Sequence, residues 1–240
     1  MRTVVIENSF IKHECHRHGI EPSAIGASIF ETYAQCSEDL IVEAVLRALA
    51  RRTGRDMSKM RYIEIGANHP IQTSSTYLLY KVYGASGVLV EPIPALAEKL
   101  RAIRPNDVVV NCTVTSSTAA VAELYVHEMN ELSSMSAPHI ALFGMYGGVE
   151  KVTESIMCKN MHINDFMKTY GFGPIDYLSI DIEGLDIDLL LAMDPAFQPA
   201  IIQCEHEDQV EEFCQVLGGR GYGLLAMTDV NILFVRRGII

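Results

Sequence analysis

The 240-residue chain has no run of apolar residues approaching the roughly 18 that a membrane-crossing helix requires. Its first residues, MRTVVIENSFIKHECHRHG, hold no long apolar segment and do not read as a signal peptide. It has six cysteines but no CxxC pair, and Cys112 and Cys204 fall in strand-like runs where a thiol behaves as a small hydrophobe. The expectation is a reduced, cytoplasmic protein. Positive charge is scarce: the net charge is -11, and Lys and Arg are scattered apart from Arg51, Arg52 and Arg55. Nucleic-acid binding, which rests on basic patches, is therefore not expected. There is no internal repeat and no low-complexity tract. A hydrophobic content of 49% against 20% charged residues allows a sizeable core, and the length suits one α/β domain with decorations.

Residues 1–36 are read as an arm or lid, and 37–240 as a single domain. Ser37 is expected to cap a helix with Glu38 and Asp39 in its first turn, where negative charge suits the helix dipole. Leu40, Ile41, Ala44, Val45, Ala48 and Leu49 continue it at helical spacing. Apolar strands are expected near 61–66, 87–91, 108–110, 176–180 and 200–204, with a closing pair at 222–226 and 231–236. Helices fall between them at 75–83, from Pro94 to Arg104, from Leu185 to Met193 and after Val210. Asn164 is expected to cap a short helix ending at Gly171. Residues 113–160 are the least regular, with one strand at 121–126. Apolar strands alternating with helices predict a doubly wound, mostly parallel α/β sheet, whose ligands bind at the carboxyl ends of the strands.

At two of those ends the sequence is most informative. Tyr62-Ile63-Glu64-Ile65-Gly66-Ala67-Asn68 ends a strand in a small-residue turn, and about 25 residues later Val88-Leu89-Val90 ends in Glu91, close to the ~20 of dinucleotide-binding units. Gly66 and Ala67 let a ligand approach the backbone. Glu91 can accept hydrogen bonds from both hydroxyls of a ribose. The second and third glycines of GxGxxG are missing, which disfavours a pyrophosphate cofactor such as a nicotinamide dinucleotide. S-adenosylmethionine has no phosphate, and Glu64 can help to hold its ammonium. An ordinary strand turn ending in an acid would leave the same signal.

Asp181, Glu205 and His206 are expected on the same edge, with Glu183 nearby. Two carboxylates and an imidazole can bind a divalent metal in an open site, and such a metal lowers the pKa of a bound hydroxyl. The bland account is that Asp181 caps the next helix and that Glu205 to Asp208 begin another. His13, Cys15, His16 and His18 have the residue types for zinc but not its spacing. His69 could touch the cofactor or substrate, and His127 and His139 lie in the irregular region.

The segments YAQCSEDL (Tyr33–Leu40), EIGANHP (Glu64–Pro70), SSTYLLY (Ser74–Tyr80), GVLVEPIP (Gly87–Pro94), RPND (Arg104–Asp107) and DYLSIDIEGLD (Asp176–Asp186) together resemble the FkbM-type methyltransferases. The resemblance implies a Rossmann-like class I S-adenosylmethionine-dependent methyltransferase, acting on a hydroxyl of a sugar or a secondary metabolite. It implies that Glu64, Gly66, Ala67, Asn68, Ser75, Glu91, Pro92 and Asp181 serve the cofactor and that Asp181 and Glu183 line the reacting edge. The family commonly has a tryptophan before the second strand, where this chain has Gly84-Ala85-Ser86 and no tryptophan anywhere. His206 stands where some metal-dependent sugar O-methyltransferases place an acidic ligand, which widens the choice of metal from magnesium toward manganese or another transition metal.

The expectation is thus an O-methyltransferase with Asp181, Glu205 and His206 as its catalytic and metal-binding residues. Its acceptor would be a free or nucleotide-linked sugar, or one related to a polysaccharide. Three rivals stay open: a metal-independent enzyme with Asp181 or His206 as base, a non-catalytic cofactor-binding subunit, and a nicotinamide-dependent enzyme. Self-association into a homo-oligomer is left open.

Overall fold

A computed structural model describes residues 31–127, 132–136, 152–171, 173–206 and 209–239. The apolar runs become β1 (Arg61–Ile65), β2 (Ser86–Val90), β3 (Val108–Val110), β7 (Tyr177–Ile180), β8 (Ile201–Glu205), β9 (Tyr222–Met227) and β10 (Asn231–Arg236). They form one sheet in the order β3-β2-β1-β7-β8-β10-β9. From β3 to β8 the pairs are parallel, while β10 runs antiparallel to both β8 and β9. The chain builds outward from β1 to β3 and then returns to β7 on the other side of β1. That reversal opens a crevice at the carboxyl ends of β1 and β7, the position where such sheets bind ligands.

Strands covered on both faces need apolar residues on both. Ile63, Ile65, Leu178, Ile180, Ile202 and Cys204 pack one face against α4 (Ile163–Tyr170), α5 (Asp186–Ala192) and α6 (Val210–Gly219), through Phe166, Leu190 and Phe213. Tyr62, Leu89, Tyr177 and Leu233 pack the other against α1 (Glu38–Thr53), α2 (Tyr77–Tyr83) and α3 (Pro94–Ile103), through Val42, Leu46, Leu79 and Leu100. Proline opens α3 as expected, since its missing N–H has no helical partner there. No described helix is long and apolar enough to cross a membrane.

A second, smaller sheet has the order β4-β6-β5, made of β4 (Thr113–Thr115), β5 (Val121–His127) and β6 (Val152–His162). β4 and β6 fall in the region expected to be irregular.

Two caps differ from expectation. Ser37 is the residue before α1, but its side chain makes no capping bond and its φ is 68°. Glu38 and Asp39 are buried instead: Glu38 accepts from the Cys36 amide, Thr228 and Asn231, and Asp39 from the Tyr33 amide and Thr32. They tie the entering chain to the helix as well as complementing its dipole. α4 is capped by His162, whose Nδ1 accepts from the Asn164 amide. Asn164 lies inside the helix, and its side chain bridges to the Ala192 carbonyl and the Asp194 amide. Residues 1–30 of the arm, with His13, Cys15, His16 and His18, lie outside the described residues, as does His139.

Candidate active site

β1 ends in a turn that the neighbouring strands draw tight. The amides of Gly66 and Ala67 both donate to the Val90 carbonyl, at 3.1 and 2.9 Å, and the Asp181 amide donates to Ile65 at 3.0 Å. Gly66 has φ 85°, and a Cβ there would lie 1.8 Å from the Asp181 carbonyl oxygen. Only glycine lets β1 and β7 close at this point.

Glu91 follows β2 and is buried. Its carboxylate accepts from the Asn68 amide at 2.8 Å and the Ile93 amide at 2.7 Å. Burial pushes its pKa up to about 7, against the opposing pull of those two amides. Each oxygen keeps a lone pair for a ligand hydroxyl.

Around these ends lies a cavity of about 270 Å³. Gly66, Ala67, Asn68, Thr73, Glu91, Pro92 and Ile93 form its wall on the β1–β2 side, and Asp181, Ile182, Glu183 and Glu205 its wall on the β7–β8 side. The small sheet contributes Thr113, Val114 and Leu124, and Gln35 reaches in from the segment before α1. Cys112 also borders it, but burial pushes that thiol up to about 11, too high for a nucleophile at neutral pH.

Asp181, Glu183 and Glu205 each present a carboxylate oxygen within 4.8 Å of the others. Glu183 reaches this position through a left-handed backbone, φ 52°, and its carbonyl accepts from buried Ser134 at 2.8 Å. Asp186 ties the loop to α5: its carboxylate accepts from the amides of Ile182 and Glu205, at 3.2 and 3.4 Å.

Of the residues singled out in the sequence, Gly66, Ala67, Asn68, Glu91, Pro92, Asp181 and Glu205 meet in this cleft, and Glu64, Ser75 and His206 do not line it. Glu64 points into the opposite face of the sheet, where it accepts from Ser74, Ser75 and Thr76 and faces Arg104. Strand alternation explains this: if Ile63 and Ile65 face α4 to α6, Glu64 must face α2 and α3. The Ser75 hydroxyl accepts from Gln203 at 3.1 Å. The His206 ring has Nε2 3.2 Å from the Thr228 carbonyl, and Glu183 takes the third place in the acidic cluster. His69 closes a turn, its Nδ1 accepting from the Ile71 and Gln72 amides, while His127 is buried at the end of β5. Thr73 and Ser133 line the cleft without any motif that marks them. Gln35 belonged to a noted segment, but nothing in its spacing signals a place in the cleft.

The strand order, with its antiparallel closing strand and a ligand cleft at the switch point, defines the class I methyltransferase architecture. A family model described as the methyltransferase FkbM domain matches residues 64–229, and the chain belongs to that family. It is an S-adenosylmethionine-dependent methyltransferase. Among solved structures, it is similar to a precorrin-6y C5,15-methyltransferase from Geobacter metallireducens, with 12% identity over 85% of this chain and 92% of that one, at a TM-score of 0.41. It is also similar to the methyltransferase PaMTH1 from Podospora anserina, solved with S-adenosylhomocysteine bound, with 14% identity over 98% and 90% and a TM-score of 0.40. An O-methyltransferase from Bacillus cereus, also bound to S-adenosylhomocysteine, gives 13% over 82% and 90% at 0.38. No curated protein matches the chain.

Proposed function

We propose that the enzyme transfers the methyl group to oxygen, on a hydroxyl of a free or nucleotide-linked sugar, with the help of a divalent metal. The observation that carries this reading is that Asp181, Glu183 and Glu205 converge within 4.8 Å in the same cleft as Gly66, Asn68 and Glu91. In this reading Gly66, Ala67 and Asn68 give the cofactor close access to the backbone. Glu91 accepts from its ribose hydroxyls, Pro92 borders it, and Asp181 faces its reacting end. Glu64 and Ser75 act on it through the loop they hold.

The three carboxylates form an all-oxygen donor set, which fits magnesium or manganese. Bound there, such an ion would lower the pKa of an acceptor hydroxyl. The chain's own task is alignment, since in-line transfer needs the acceptor oxygen about 3 Å from the methyl carbon. In this reading Asp181 or Glu205 takes up the hydroxyl proton. Gln35, Asn68, Thr73 and Ser133 add the hydrogen-bonding groups that a polyol would engage. The described cysteines are thiols, which suits a reducing compartment such as the cytoplasm.

The test follows formation of S-adenosylhomocysteine with a panel of sugars and sugar nucleotides, before and after chelation. Turnover should disappear with the chelator and return with magnesium or manganese. Asp181→Asn should lower kcat roughly 10²-fold or more while leaving cofactor affinity within a few-fold. Full turnover by metal-free enzyme would overturn the metal and leave Asp181 as a simple base.

A further inference from the structure

Behind the cofactor turn lies a buried polar cluster for which the reaction has no direct use. Arg104, which closes α3, is the only arginine in the interior among the described residues. Its Nη1 donates to the Ser74 hydroxyl at 3.0 Å, its Nη2 to Thr76 at 2.8 Å and Tyr62 at 3.0 Å, and its Nε to Asp107 at 2.7 Å. Glu64 accepts from the same segment: from the Ser74 hydroxyl at 3.2 Å, the Ser75 amide at 2.8 Å and the Thr76 hydroxyl at 2.5 Å. Gln203, held by the Tyr177 hydroxyl at 2.7 Å, adds the bond to Ser75 from β8. Three successive residues are therefore gripped from β1, β8 and the end of α3.

A buried ion pair is weak evidence for stability, because desolvation offsets the attraction. The visible product of this one is a fixed position for Ser74–Thr76. Immediately before them stands Thr73, with φ 57°. A β-branched residue seldom adopts that left-handed backbone, and it does so here at the wall of the cleft. Such strain persists only where the surroundings over-determine it, and it gathers at ligand sites.

We infer that Glu64 and Arg104 are positioning residues that clamp Ser74–Thr76, hold the wall from Asn68 to Thr73 in shape for the cofactor, and make Thr73 a further cofactor-contacting residue. This rests on the cleft's assignment to the cofactor. The test measures affinity for S-adenosylhomocysteine by calorimetry, and Tm, in the full chain and in Thr73→Gly, Thr73→Asn and Thr76→Val. Glycine at 73 relieves the strain, so Tm should hold or rise by about 2–4 °C. Affinity should nevertheless fall about fivefold, as the wall loses its shape and a contact. Asparagine, which tolerates left-handed backbone, should restore part of the loss. Thr76→Val removes a donor to Glu64 and an acceptor for Arg104. It should weaken binding about tenfold and raise KM for S-adenosylmethionine, with kcat at saturating cofactor near the parent's.

A purely structural role at Thr73 would not lower affinity while Tm holds or rises. Binding by Thr73→Gly as tight as the parent's overturns the inference, and does so even if Thr76→Val fails to fold. A parent that does not bind S-adenosylhomocysteine overturns the cofactor assignment as well, and shows it before any variant is compared.

Discussion

Burial pushes the Glu91 carboxyl up to about 7, although two backbone amides donate to it. In the unfolded chain the same group titrates near 4.5. A carboxyl whose folded pKa is raised contributes stability that is full below about 4.5 and is lost as pH rises through about 7. Between those values the unliganded parent should lose stability relative to Glu91→Gln, which melting curves of the two proteins will show. Binding has the opposite sign. The ionised form accepts ribose hydroxyls better than the neutral acid, so affinity for S-adenosylhomocysteine should rise with pH and level off above about 7. Glu91→Gln should flatten that profile and bind about tenfold more weakly at the alkaline end. A parent whose affinity is independent of pH across this range would count against Glu91 as the ribose acceptor. That Glu91 would end a strand at the cleft was legible from the apolar run before it. The bond from the Asn68 amide was not, because it depends on how β1 and β2 are registered, whereas the bond from Ile93 is a local one two residues on.

At the scale of elements, the buried parallel strands were readable because strands covered on both faces are largely apolar, and the runs at 62–65, 88–90, 177–180 and 201–204 are so apart from Glu64, Ser179 and Gln203. β6 was not. Its sequence, VTESIMCKNMH, alternates weakly, only Cys158 and Asn160 of it are buried, and Met157 is 66% exposed. A strand with so little core face looks like a loop. β4 is three residues long and gains its identity only by pairing with β6. The acidic cluster was half legible: the ends of β7 and β8 were visible, but the choice of Glu183 over His206 depends on a left-handed turn at Glu183 and on Ser134 fixing its carbonyl. The junction of β1 and β7 offers a sharper test. A methyl group at Gly66 would collide with the Asp181 backbone, and neither strand end can retreat without losing the bond from Asp181 to Ile65. Gly66→Ala should cost more than about 3 kcal/mol in urea unfolding and abolish cofactor binding. Parent-like stability would mean that the two strands do not close as described.

Over the whole molecule, the two sheets divide the labour. The large sheet brings Gly66, Glu91, Asp181 and Glu205 to one edge through its reversal at β1, and the small sheet supplies the facing wall with Val114 and Leu124. The central claim is that S-adenosylmethionine lies across the carboxyl ends of β1 and β2 with its reacting end toward Asp181, Glu183 and Glu205. A crystal structure with S-adenosylhomocysteine tests it most directly. The account predicts both ribose hydroxyls within hydrogen-bonding distance of Glu91, the chain passing over Gly66 and Ala67, and the sulfur facing the acidic cluster. Density for the ligand elsewhere, or a ribose turned away from Glu91, would contradict it.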